Sequence, residues 1–191
     1  GQRYIDNCEI FNSIQDAIFD CDLVLATCGR IDLNNNIKCE YPEVLSKWLS
    51  SFKEIKNLAI LFGREDRGLT NSELLFAHKI INIKTSRNYP SLNLSHAVAI
   101  ILYELNKCST SNQKKHTKVF NLASSKQIYE SFQELEQILI RTGYLLEHNS
   151  FLKISKFKKF VLRANTSSHE INILRGIIRQ INWFLNNSKG K

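Results

Sequence analysis

Apolar residues dominate three short runs, Leu23-Val24-Leu25-Ala26, residues 58–62 and residues 80–83, the last broken only by Asn82. A strand with one solvated face alternates apolar and polar positions, so runs of this kind predict strands covered on both faces. The first run empties into the small polar loop Thr27-Cys28-Gly29-Arg30, and Asn34-Asn35-Asn36 beyond it reads as a turn or surface loop. Tyr41-Pro42-Glu43 then opens a helix with proline near its first turn, and Leu45, Trp48, Leu49 and Phe52 share one face. After the second run, a loop over residues 63–69 leads to Thr70 and Glu73 in capping-box spacing, which predicts a helix through Leu74, Leu75 and Ala77. From Leu94 onward, Val98, Ile101, Leu102 and Leu105 recur at helical spacing. A short strand is also expected at residues 8–11, followed by an N-cap at Ser13 and a helix through Ile14, Ala17, Ile18 and Cys21. Buried strands alternating with helices predict an α/β fold built on a parallel sheet.

The pattern changes after Asn106. The segment containing KCSTSNQKKHTK has no apolar period apart from Val119-Phe120, and reads as a linker. Three amphipathic helical patterns follow: Ile128, Phe132, Leu135 and Leu139; then Leu152, Phe157, Phe160 and Val161; then Ile171, Leu174, Ile178, Ile181 and Leu185, this last preceded by Ser167 and Glu170 in capping-box spacing. The expected organisation is an α/β domain over residues 1–106, a linker over 107–125 and a small all-α extension over 126–191.

Charge sharpens this division. The net charge is +8, yet residues 1–106 carry 11 Lys and Arg against 13 Asp and Glu, whereas residues 107–191 carry 15 against 5. A one-sided basic excess suits a polyanion, because each neutralised phosphate releases counterions; a solvated basic face is the plainer alternative. Lys153, Lys156, Lys158, Lys159 and Arg163 form the densest basic run and are the phosphate-contact candidates, each equally readable as part of a solvated helix face. The five cysteines include no Cys-x-x-Cys pair and no His-Cys cluster at ligand spacing, so reduced thiols in a cytoplasmic protein are expected and a metal site is not. No apolar run approaches 18 residues, which argues against a membrane-spanning helix.

The candidate chemistry lies in two polar segments between apolar runs. Gly63 and Gly68 bracket Arg64-Glu65-Asp66-Arg67, and Tyr89-Pro90-Ser91-Leu92-Asn93 precedes the helix from Leu94. Ligands of open α/β sheets bind where strands give way to loops, so two such segments suggest one shared site. Neither is a Walker loop or a Gly-x-Gly-x-x-Gly fingerprint. Glu65 reads as a solvated carboxylate or as an acceptor for a ligand hydroxyl. Ser91 and Asn93 read as turn and cap residues or as a polar pair beside a helix N-terminus. No Ser or Cys stands with a positioned His, and His96 reads as structural.

At these residues the sequence resembles a known family. Leu61-Phe62-Gly63-Arg64-Glu65-Asp66-Arg67-Gly68-Leu69-Thr70-Asn71-Ser72-Glu73-Leu74 resembles the second motif of the SpoU/TrmH class of SPOUT RNA methyltransferases, and Ser91-Leu92-Asn93-Leu94-Ser95-His96-Ala97-Val98 resembles the third. Thr27-Cys28-Gly29-Arg30 and Glu170-Ile171-Asn172-Ile173-Leu174-Arg175-Gly176 are similar to the TrmJ branch, the tRNA cytidine/uridine 2′-O-methyltransferases. The resemblance implies a trefoil-knotted cofactor site, a homodimer, and S-adenosyl-L-methionine as methyl donor to a ribose 2′-hydroxyl of structured RNA, tRNA foremost, with no metal. By the same resemblance, Thr27, Cys28, Gly29, Gly63, Arg64, Glu65, Gly68, Leu69, Ile83, Ser91, Leu92 and Asn93 form the cofactor site. Glu65, Ser91 and Asn93 are its catalytic candidates, and Arg30 joins the RNA contacts.

Family members also carry an earlier motif with an Asn and a downstream Arg that activates the hydroxyl. Arg3, Arg30 and Arg64 do not match it; either a longer parent protein supplies this Arg upstream of Gly1, which two intact motifs favour, or the protein has lost its base. Two other classes stay open: a non-catalytic RNA-binding or dimerisation module retaining the fold, and a Rossmann-like enzyme for another nucleotide, which the missing fingerprint disfavours.

Overall fold

The computed structural model describes residues 2–29, 39–52, 55–86, 92–110 and 121–187. Two short helices, α1 (Gln2–Asp6) and α2 (Ile14–Ala17), precede β1 (Leu23–Thr27). The chain then forms β2 (Cys39–Glu40), α3 (Val44–Leu49), β3 (Leu58–Leu61), α4 (Asn71–Leu74), β4 (Lys79–Ile81) and α5 (Leu94–Thr110). The strands make one parallel sheet in the order β2-β4-β1-β3. The expected parallel α/β sheet is therefore present.

Residues 23–26 are fully buried because β1 has a strand on each side and a layer on each face. Alternate side chains serve the two layers. Val24, Ala26 and Ile80 pack with Ile18, Leu69, Leu74 and Ala77 on one face. Leu25 and Ile81 pack with Leu45 and Ile101 on the other, where α3 and α5 lie together.

Local chemistry starts the helices where expected. Ser13 caps α2 by accepting from the Asp16 N–H, though α2 ends at Ala17, short of Cys21. Thr70 and Glu73 form the complete capping box of α4. Two strand expectations need correction. Residues 8–11 are not a strand: no ladder engages them, and Ile10 is 98% exposed. The run at residues 58–62 gives β3, but as an edge strand among the described residues it is half-covered instead of buried. β2 went unpredicted because two residues carry no period; it exists through its pairing with β4, Cys39 opposite Ile80 and Glu40 opposite Ile81.

The expected linker is partly helical, since α5 runs on to Thr110, and the rest of that expectation over residues 111–120 lies outside the described residues. So do Arg30, Asn34-Asn35-Asn36, Tyr89, Pro90 and Ser91. The three expected helices follow as α6 (Ser125–Arg141), α7 (Glu147–Arg163) and α8 (Ser168–Asn187). Their shared core contains Ile128, Phe132, Leu145, Ile154, Val161, Leu162 and Ile171. Ser124 with Gln127 closes the α6 capping box, and Ser167 with Glu170 makes the corresponding reciprocal pair before α8. Arg175 of α8 reaches Glu134 and Glu130 of α6 at 2.9 and 3.3 Å.

The helical unit packs on the sheet unit. The Ser125 N–H donates to the Cys21 carbonyl at 3.1 Å, and the Lys126 ammonium stands 5.1 Å from the Phe19 ring centre. Lys158 of α7 sits between Phe76 and Tyr129, 5.3 and 5.4 Å from their ring centres. Among the described residues, no helix is long and apolar enough to cross a membrane.

Candidate functional site

The C-terminal ends of β1, β3 and β4 open into one cavity of about 310 Å3, within the roughly 300–1,000 Å3 of small-molecule sites. Three segments far apart in sequence form its walls: Thr27, Cys28 and Gly29 after β1, residues 62–69 after β3, and Ile81, Ile83 and Thr85 around the end of β4. Leu92, Leu94 and Ala97 close it from the start of α5.

Residues 63–69 form a tight turn. The Gly68 N–H donates to the Arg64 carbonyl at 2.8 Å, and Gly68 has φ +67°. Gly63 faces that turn so closely that a Cβ there would stand 2.2 Å from the Gly68 carbonyl carbon. Glycine is thus required at Gly63 by contact and favoured at Gly68 by backbone conformation. The turn is tied to α4 by Arg67, whose guanidinium donates to both Glu73 oxygens at 3.1 Å. Glu73 also accepts the Thr70 N–H at 2.6 Å, and these donors hold its carboxyl down at about 2. Arg64 pairs with Asp66 on the exposed outer side, which lowers the Asp66 carboxyl. Glu65 is exposed at the rim with no side-chain partner among the described residues.

Of the expected cofactor residues, Thr27, Cys28, Gly29, Gly63, Arg64, Glu65, Gly68, Leu69, Ile83 and Leu92 line this single cavity. Asn93 is exposed at the head of α5, where its Oδ1 accepts from the Ser95 N–H at 2.9 Å and hydroxyl at 2.7 Å. Phe62, Asp66, Arg67, Ile81, Thr85, Leu94 and Ala97 also line the cavity; Phe62, Asp66, Arg67, Leu94 and Ala97 stand within the motifs read from the sequence but were not named as cofactor contacts. Ile81 and Thr85 lie outside those motifs, each two residues from the expected contact Ile83, so adjacency was the available signal.

The arrangement suits a ligand with a flat apolar part and polar edges, since apolar side chains and exposed loop backbone share the walls. Among the described residues that line it, none is a nucleophile set beside a base. The His78 Nδ1 accepts from the buried Val24 N–H at 3.1 Å. Burial of the ring, reinforced by the Lys158 ammonium, pulls His78 down to about 4. Among the described residues, no three His, Cys, Asp or Glu side chains converge as a metal ion would need.

The basic run on α7 splits. Lys153, Lys156 and Arg163 are exposed, while Lys159 is partly covered near Cys39. Lys158 turns inward, and burial brings its ammonium down to about 8.

Residues 1–103 match the model of the SpoU rRNA methylase family, and residues 126–190 match the C-terminal domain of the tRNA methyltransferase TrmJ. The chain belongs to the SpoU methylase family. Among relatives, a tRNA (cytidine-2′-O-)-methyltransferase TrmJ of Methanocaldococcus jannaschii is 34% identical over 172 residues, covering 89% of this chain and 74% of the relative. A tRNA (cytidine/uridine-2′-O-)-methyltransferase TrmJ of Escherichia coli K12 is 31% identical over 183 residues, covering 93% and 73%. The fold is that of TrmJ from Z. mobilis ZM4, with TM-score 0.77 at 23% identity over 95% of this chain and 76% of that one. A probable methylase family protein from Haemophilus influenzae Rd KW20 aligns at TM-score 0.52 and 30% identity, over 98% and 77%. SpoU membership also makes sense of the cavity, which gathers the second-motif loop and the start of the third.

Proposed function

We propose that this chain transfers a methyl group to a ribose 2′-hydroxyl of tRNA, with S-adenosyl-L-methionine as the donor. The observation that carries the reading is the meeting of residues 27–29, residues 62–69, Leu92 and Leu94 around one cavity. Its glycine-tight turn lets backbone approach a ligand closely, and its apolar wall suits an adenine ring. Bound there, S-adenosyl-L-methionine supplies a methyl group on a cationic sulfur, a leaving group that needs no metal.

Cys28, Gly29 and residues 63–69 hold the donor through backbone groups, and Ile83 and Leu92 exclude water from it. Glu65, at the rim, accepts the hydrogen bond of the incoming hydroxyl or orients a catalytic cation; Ser91 and Asn93 complete the active site. Catalysis then rests on alignment and proton acceptance. Residues 1–106 make the catalytic domain, with a trefoil knot, and residues 126–191 the basic extension. Lys153, Lys156, Lys159 and Arg163, with Arg30, contact phosphate. Lys158 instead docks α7 on the sheet unit. The protein works in the cytoplasm as a homodimer, to which the exposed Leu102 and Tyr103 of α5 lend support as a face that a second copy covers.

Calorimetric titration with S-adenosyl-L-methionine, paired with methyl transfer by the full-length protein to bulk tRNA and rRNA, tests the reading. Saturable binding with 2′-O-methylated tRNA is expected. Binding of NAD or ATP in its place would overturn the donor assignment. Inactivity on every RNA despite donor binding would leave a module that keeps the fold without turnover.

A further inference from the structure

Asn82, the residue after β4, is 3% exposed. Its backbone N–H donates to the Glu40 carbonyl at 2.8 Å, continuing the ladder toward β2. Its side chain serves the opposite neighbour, with Nδ2 donating to the Cys28 carbonyl at 2.7 Å. The Cys28 N–H in turn donates to the Ile81 carbonyl at 2.9 Å. The paired register of β1 with β4 ends at Thr27 opposite Ile81. Beyond that point the Asn82 amide replaces the next backbone rung, so Cys28 and Gly29 leave the sheet yet stay anchored as a cavity wall.

The anchor has a cost. The Asn82 Oδ1 is buried and has no hydrogen-bond partner among the described residues. An unsatisfied buried acceptor forfeits its hydration without recompense, and an apolar side chain of similar volume would avoid that loss. Stability alone therefore does not account for an asparagine here, whereas a donor aimed at the Cys28 carbonyl does.

We infer that Asn82 is a positioning residue for the donor cavity, holding the Cys28 carbonyl so that the 27–29 wall keeps the shape that binds S-adenosyl-L-methionine. The inference rests on the function proposed above. It acts through Cys28 and Gly29, since Asn82 itself does not line the cavity.

The test uses the full chain with Asn82→Leu and Asn82→Asp. For Asn82→Leu, S-adenosyl-L-methionine affinity is expected to fall about tenfold, the loss of roughly one hydrogen bond's worth of organisation. Its melting temperature changes little, because removal of the orphaned acceptor offsets the bond lost to the Cys28 carbonyl. Asn82→Asp donates only when protonated, so its affinity relative to the unmodified chain recovers as pH falls from 8 to 5.5. Amide exchange gives a readout independent of the ligand: the Cys28 and Gly29 amides of Asn82→Leu exchange about ten times faster while those of Val24 and Leu25 do not. Unchanged affinity together with unchanged exchange at Cys28 and Gly29 would overturn the inference. A fall in melting temperature that accounts for the whole affinity loss would overturn it too. If the unmodified chain binds no S-adenosyl-L-methionine, the functional reading fails, and the exchange contrast still decides whether Asn82 holds the wall.

Discussion

The sheet unit and the helical unit begin helices with the same device and use it for different ends. Thr70 with Glu73 starts α4, and Ser167 with Glu170 starts α8; in both, a hydroxyl and a carboxylate exchange hydrogen bonds with backbone three residues apart. In α8 the cap serves the bundle alone. In α4 the same carboxylate also grips Arg67, and so fixes the turn that walls the cavity. A cap is therefore structural or site-forming according to what its carboxylate meets across the fold.

The largest expected break in this comparison comes from the glycines. Gly63→Ala places a methyl against the Gly68 backbone, and a displacement costing about 3 kcal/mol would weaken donor binding roughly 100-fold by calorimetry. Gly176 of α8 has nothing within 4 Å of its would-be Cβ and no such restriction.

Next come the caps themselves. Glu73→Gln is expected to lower stability by about 1–2 kcal/mol and raise the donor KM several-fold, because the cap and the Arg67 clasp weaken together. Glu170→Gln is expected to lower the melting temperature only slightly, since Gln can keep the reciprocal cap, with no change in KM. The pH dependence separates Glu73 further. Its carboxyl sits at about 2, below the usual 4.5, so its stabilisation is complete above pH 4.5 and disappears as pH falls toward 2.

A smaller effect belongs to the seam between the units. His78 is held down to about 4, so between pH 6.5 and 4 the unfolded chain takes up a proton that the folded ring refuses, and stability falls as the pH drops. His78→Asn retains an acceptor for the Val24 N–H and is expected to flatten that slope in melting temperature against pH. The smallest change, Gly176→Ala, should stabilise α8 by about 0.5–1 kcal/mol with activity unaltered.

Much of this comparison could be read from local sequence. Three caps, the buried character of β1 and β4, the apolar faces of α6, α7 and α8 and the two glycine positions each depend on neighbours within a few residues. Two-residue β2 was invisible, because its pairing with β4 is its whole reason to be a strand. The coverage of β3 was misjudged because an apolar run does not say how many neighbours a strand has. Asn82 drew no functional reading within the run at residues 80–83; its partner lies 54 residues earlier. Lys158 stood in a basic run that promised phosphate contacts, and the packing of α7 put it between two aromatic rings while Lys153 and Lys156 remained in water.

By itself, then, the sequence determined where helices start, which runs must be buried, where the chain turns basic and which loops bear the methylase motifs. Each of these follows from short-range backbone chemistry and side-chain type. Only the tertiary structure decided the strand order, the convergence of three separate loops on one cavity, the second task of Glu73 and the inward turn of Lys158. Those outcomes depend on contacts between residues far apart in the chain, which parallel pairing and helix packing create and no local spacing encodes.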